Sequence, residues 1–237
     1  MSPVLSANHV LASLTKSDLE LIQPLLEKVE LNFRDDLEIP NQRIEHCYFP
    51  DDCIVSVISD AGPGRAIEVG IVGSDSCTAQ AVIMGSDRSP NSAVVQVAGR
   101  ARRIRCEGLR QAIAQSSTLH RSLLAVVQSF MIQASFTALA NGKARIDERM
   151  ARWLLMAHDR LPGDTLSLTH EVLANTLGVR RAGVTVGLQK LEAEGLISTK
   201  RKVIEIRNRR GLVALAGEVY SVQTAEQRRL TGWHPTK

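Results

Sequence analysis

Residues 166–199 read LSLTHEVLANTLGVRRAGVTVGLQKLEAEGLIST, and their spacing predicts two short helices around a tight turn. Thr169 is a good helix N-cap, because its hydroxyl can accept a backbone N–H that the first turn leaves unpaired, and Glu171 suits the positive end of the helix. Leu173, Ala174 and Leu177 make one inner face, and Gly178 stands where a helix closes in the left-handed conformation. A second helix is predicted over residues 180–194, with Val184, Leu188 and Leu191 sharing one buried face. Ala174 is small where the two helices would cross. This is the helix-turn-helix arrangement, whose second helix enters the DNA major groove.

The flanking residues extend the pattern. Gly195 to Ser198 lead into Lys200-Arg201-Lys202 and then Val203, Ile204 and Ile206, which reads as a hairpin with a basic tip, or wing. Residues 178–210 hold nine basic side chains against three acidic ones, a density that suits phosphate contacts. The chain as a whole is polarised. Residues 1–142 hold 12 Lys and Arg against 15 Asp and Glu, a net of −3, whereas residues 143–237 hold 17 against 10, a net of +7. An acidic front and a basic back place a polyanion at the back, and double-stranded DNA is the expected partner.

The front has a different texture. HCYFP, CIVSVIS, AIEVGIV, AVVQVAG and ARRIRC, between residues 46 and 106, are short β-rich runs separated by turn residues, which predicts an antiparallel sandwich or barrel. A helix is predicted over residues 15–27, with Leu19, Ile22, Leu25 and Leu26 at helical spacing. Helices follow the strands at about 107–115, 118–141 and 145–160, and Leu161-Pro162-Gly163-Asp164 breaks the last.

Residues 122–142 carry no charge and are long enough to cross a bilayer. Gln128, Gln133 and Asn141 are costly in hydrocarbon, so a helix buried on several sides is the better reading, and no membrane is expected. Cys47, Cys53, Cys77 and Cys106 have no paired or zinc-finger spacing and read as reduced thiols. The first basic residue is Lys16, so no secretory n-region is expected, and the location read from this is cytoplasmic. The six histidines show no metal-ligand spacing and no catalytic signature is present, so neither an enzyme nor a metal or cofactor site is expected.

LTHEVLANTLGV (168–179) followed by VTVGLQKLEAEGLIS (184–198), and EVGIVG (68–73) ahead of SAVVQVAGRARRI (92–104), resemble the Crp/Fnr family of bacterial transcription regulators. The resemblance implies an α+β chain: a cyclic-nucleotide-binding-like β-barrel or jelly-roll sensor over residues 1–117, a dimerisation helix over 118–142, and a winged helix-turn-helix over 143–237. It implies a homodimer on a palindromic operator, with RNA polymerase as a further partner. It also gives the uncharged helix a reason to be apolar on two sides, one against its own barrel and one against its twin.

Two departures from the family pattern bear on function. The turn that holds ribose and phosphate in cyclic-nucleotide-binding members matches Ser76-Cys77-Thr78-Ala79 here, and the arginine triplet matches Asn91-Ser92-Ala93. The glycines, the acid and the arginine of that cassette are missing. No cysteine precedes Cys47, so the N-terminal iron–sulfur cluster is missing too, and the resemblance leaves the effector unspecified. At the positions that read bases, this chain has Arg181, Ala182 and Val186. Arg181 keeps the chemistry that reads guanine, and Arg180 and Gln189 are placed to substitute for the rest. The DNA-contacting set is therefore Thr169, His170, Arg180, Arg181, Thr185, Gln189, Lys200, Arg201 and Lys202. The alternative is a signalling module that uses the same barrel as a protein-interaction surface.

Overall fold

Apolar residues alternate through the front half of the chain, and the computed structural model, which describes residues 7–235, folds that half as two facing antiparallel sheets. One sheet has the order β1-β7-β3, from Glu27–Leu31, Gly99–Arg105 and His46–Pro50. The other has the order β2-β6-β4-β5, from Asp36–Glu38, Ser92–Val97, Ile54–Asp60 and Ala66–Val72. Leu31, Val55, Val72, Val95 and Ala101 fill part of the space between them. Two short helices, α1 (His9–Ser13) and α2 (Lys16–Ile22), precede the strands, and α3 (Gln80–Ile83) interrupts them.

The helix expected over 15–27 stops at Ile22. Pro24 removes a backbone donor there, a single 3₁₀ turn follows, and the chain enters β1 at Glu27. Leu25, at helical spacing with Leu19 and Ile22 in the sequence, lies past that stop and is 45% exposed.

Beyond the barrel lie α4 (Cys106–Gln115), the long α5 (Ser117–Lys143) and α6 (Ile146–Arg160). Helix α5 crosses the outer edge of β5 so closely that a Cβ on Gly70 would sit 2.8 Å from a Phe130 ring carbon. An edge strand presents unpaired backbone groups. Gln133 satisfies those of Ile71: its Oε1 accepts from Ile71 N at 2.6 Å and its Nε2 donates to Ile71 O at 3.1 Å. Gln133, one of the three polar residues that argued against a membrane span, thus stands in for a neighbouring strand at Ile71.

Helix α6 is buried almost all round and forms the axis of the C-terminal half. Its Met150, Leu154 and Leu155 share one core with Leu173, Val184, Leu188 and Leu191, and also with Ile54 and Ile71 of the barrel. Several helices have no counterpart in the sequence reading, and the longest of them is α10 (Glu218–Thr231), which packs along α5. The buried Arg152 ties three helices together, donating to Gln133 O and Thr137 Oγ1 on α5 and to Val219 O and Gln223 Oε1 on α10. Burial, with the neighbouring Arg160 charge, brings its guanidinium down to about 10.

Candidate nucleic-acid interface

The helix-turn-helix consists of α7 (His170–Leu177) and α8 (Arg181–Ala193). Thr169 caps α7, its hydroxyl accepting from Val172 N at 3.2 Å, and Gly178 ends it at φ 60°. Leu173, Ala174 and Leu177 on α7 and Val184, Leu188 and Leu191 on α8 are all buried. Gly187 lets α8 approach α6: a Cβ there would lie 2.8 Å from Met150 Cε. The apolar face of α8 is therefore committed inward, which turns Arg181, Ala182, Val186 and Gln189 outward.

The wing is a three-stranded sheet, not a bare hairpin. Strand β10 (Val203–Ile206) pairs with β9 (Ile197–Lys200) on one side and with β8 (Thr165–Ser167) on the other. Lys200 pairs with Val203, so Arg201 and Lys202 form the turn, and Lys202 takes the left-handed conformation at φ 62°. Lys200, Arg201 and Lys202 are all exposed.

Tertiary pairing divides the basic residues of 178–210. Lys190 is held by Asp147, Arg207 by Glu205 at 2.9 Å, and Arg209 by Asp159 at 2.7 Å. Among the described residues, Arg180, Arg181, Lys200, Arg201, Lys202 and Arg210 carry no ion pair and are exposed. They lie at the N-terminus of α8, where the dipole also favours an anion, on the wing, and at the start of α9 (Arg209–Ala216). Arg210 is the exposed cation that helix phase in the sequence did not single out.

His170 Nδ1 and Thr185 Oγ1 lie 3.1 Å apart, and Thr185 also donates to Arg181 O at 3.2 Å, so this pair links α7 to α8. Arg180 stands at the N-cap position of α8 without a side-chain cap bond, and it lines a cleft of about 830 Å³ with Phe33, Ile67 and Val179. Val186 is 65% exposed in the middle of the outward face, an apolar group suited to a thymine methyl.

On the sensor side, the turn Ser76-Cys77-Thr78-Ala79 is buried and its polar groups are engaged within the protein. Thr78 Oγ1 accepts from Tyr48 N at 2.9 Å, and Ala79, at φ 57°, donates its N–H to Glu38 Oε1 at 2.7 Å. All four cysteines are buried, and burial raises the Cys47, Cys53 and Cys106 thiols.

These elements define a class: a β-barrel joined through a long helix to a winged helix-turn-helix. The family model for the Crp-like helix-turn-helix domain matches residues 148–215. FixK2 from Bradyrhizobium japonicum superposes with a TM-score of 0.70 at 18% identity, over 81% of this chain and 98% of that one. The c-di-GMP-responsive global regulator CLP from Xanthomonas campestris gives 0.62 at 18%, over 81% and 99%. TTHB099, a Crp-family transcriptional regulator from Thermus thermophilus, gives 0.64 at 17%, over 81% and 98%. No curated protein sequence matches. The chain thus has the fold of the Crp/Fnr regulators and carries a Crp-like helix-turn-helix domain.

Proposed function

We propose that this protein is a sequence-specific, DNA-binding transcription regulator that works in the cytoplasm as a homodimer, without enzymatic activity of its own. The observation that carries the reading is the set of exposed, unpaired cations on the helix-turn-helix and its wing. Ion pairs are costly to leave incomplete only when buried; exposed guanidinium and ammonium groups stay free to meet phosphates at little penalty. In this reading Arg181 and Gln189, with Arg180, Thr185 and His170, face base edges, while Thr169 and the wing cations face the backbone. The functional units are the sensor (1–117), the dimer helix (118–142) and the DNA-binding unit (143–237), with RNA polymerase as a further partner. Selection of bound fragments from sheared genomic DNA tests it directly. Enrichment of a palindromic sequence is expected; no enrichment, with full retention of fold, would favour the protein-interaction module instead.

Dimerisation is proposed through α5. The helix is long and apolar enough to cross a membrane by length and composition, with 39% of its most apolar window buried. Leu124, Met131 and Leu139 remain 40%, 59% and 46% exposed. They recur near helical period, so they form a stripe that a second copy would cover. Sedimentation without detergent should give about twice 25.9 kDa. Met131→Lys should give a folded monomer, because it puts two charges at the two-fold seam. A monomeric wild type, or dependence on detergent, would remove α5 as the dimer helix.

A further inference from the structure

The cleft between the barrel and the helix-turn-helix combines two kinds of surface. Its volume is about 830 Å³, within the roughly 300–1,000 Å³ of small-molecule sites. One side is apolar. Ile58, Ile67 and Val94 come from the barrel, and Val172 and Val179 come from α7 and the turn that follows it. All five are only half-buried, so a molecule in the cleft can still cover them. Phe33, between β1 and β2, adds an aromatic face that is 48% exposed.

The other surface is cationic. Arg34 lies beside Phe33, with its guanidinium 5.2 Å from the ring centre. Arg65 stands in the hairpin that joins β4 to β5, and Arg180 stands at the N-cap of α8. All three line the cleft and are exposed. Elsewhere on the barrel, Arg43, Arg88, Arg100 and Arg103 each pair with a carboxylate. Among the described residues, Arg34, Arg65 and Arg180 pair with none. The one carboxylate among the described lining residues is Glu68, which is buried and already engaged: Trp153 Nε1 donates to it at 2.7 Å and Ser56 Oγ at 2.5 Å.

We infer that this cleft is a binding site for a small anionic ligand with an apolar or aromatic body. Its carboxylate, phosphate or sulfonate head meets Arg34, Arg65 and Arg180, whose planar donors suit such oxygens. Its body covers the isoleucine and valine wall and the Phe33 ring. A nucleic-acid backbone would gain nothing from that wall, and a neutral apolar molecule would gain nothing from the arginines.

The site reaches the recognition helix. Arg180 directly precedes Arg181, so a bound anion engages a cation that DNA also uses. Ligand and DNA should therefore weaken each other by the same factor. This coupling rests on the DNA-binding reading above; the ligand site itself does not.

Anilinonaphthalene sulfonate, an anionic aromatic dye that brightens in apolar surroundings, tests the site on the full-length protein. Saturation at one dye per chain is expected, with slower amide exchange in residues 58–67 and 172–180. Arg65→Gln should weaken the dye about threefold, and Arg34→Gln combined with it about tenfold. Phenylnaphthylamine, the same body without the sulfonate, should bind these variants as it binds the native chain. Arg201→Gln removes an equal charge on the wing and should change neither. Scrambled duplex should raise the dye Kd, and Arg180→Gln should shrink that rise. Absence of a saturable site, a loss in the Arg34 and Arg65 variants no larger than in Arg201→Gln, or an equal loss of the neutral compound would overturn the ligand site. Duplex that binds without displacing dye would overturn the coupling, whereas duplex that does not bind at all would overturn the DNA-binding reading and leave the dye result to stand by itself.

Discussion

Arg160→Met should lower the stability of the protein more than any other single side-chain replacement considered, by about 3–5 kcal/mol. Arg160 and Asp75 form a bidentate pair at 2.8 and 2.6 Å, and both side chains are 1% exposed. Asp75 also accepts from Gln227 on α10, Arg160 donates to Met156 O at 2.8 Å, and its guanidinium lies 5.3 Å from the centre of the Trp233 ring. The pair thus joins the loop after β5 to the end of α6 and to the C-terminal helix. Methionine fills most of the volume but leaves Asp75 charged, buried and held by Gln227 alone. Desolvation of that carboxylate, rather than the loss of the attraction itself, sets the cost. Thermal unfolding should fall by roughly 6–20 °C for a chain of this size. Asp75→Asn in the same chain should recover a large part, because the uncompensated charge is then gone. A loss below about 1 kcal/mol in Arg160→Met would show that the pair is neither as dry nor as strong as its geometry indicates.

Arg181→Ala should separate specific from general DNA binding. Arg181 opens α8 on the outward face, free of ion pairs. Two donors of one guanidinium match O6 and N7 of guanine, and such a contact discriminates by about 1–3 kcal/mol. In a dimer the change acts on both half-sites, so operator affinity should fall by roughly 10- to 10⁴-fold, with little change on scrambled duplex. Lys202→Ala should do the reverse. Its exposed turn position on the wing suits a phosphate contact, so operator and scrambled DNA should weaken alike and the salt dependence should flatten. Titration of both variants at several salt concentrations reads the two effects apart. An unchanged specificity ratio in Arg181→Ala would mean that α8 does not present that residue to the bases.

The helix-turn-helix was legible because each of its determinants is local. A threonine cap, a glycine in the left-handed turn and an apolar residue every third or fourth position act within one or two turns of helix, and Thr169, Gly178 and the Val184–Leu188–Leu191 face sit where their spacing puts them. The strands HCYFP and AIEVGIV were equally local and coincide with β3 and β5. The helix expected to residue 27 ends at Ile22 because helical spacing was carried through Pro24, which breaks it.

Residue types and their spacing, on their own, determined the classes of element, the winged helix-turn-helix and the concentration of positive charge at the back of the chain. Only the tertiary structure decided which cations are spent on Asp147, Asp159 and Glu205, that Gln133 completes an edge strand, and that α10 is bolted to α5 through Arg152. It also brought Trp153 on α6 to Glu68 on β5, its indole N–H donating to the buried carboxylate at 2.7 Å. The difference is physical. Capping and periodicity depend on neighbours along the chain, which the order of residues records. Desolvation, charge pairing and the protonation of a buried acid depend on neighbours in space, which exist only once the sheets and helices have packed.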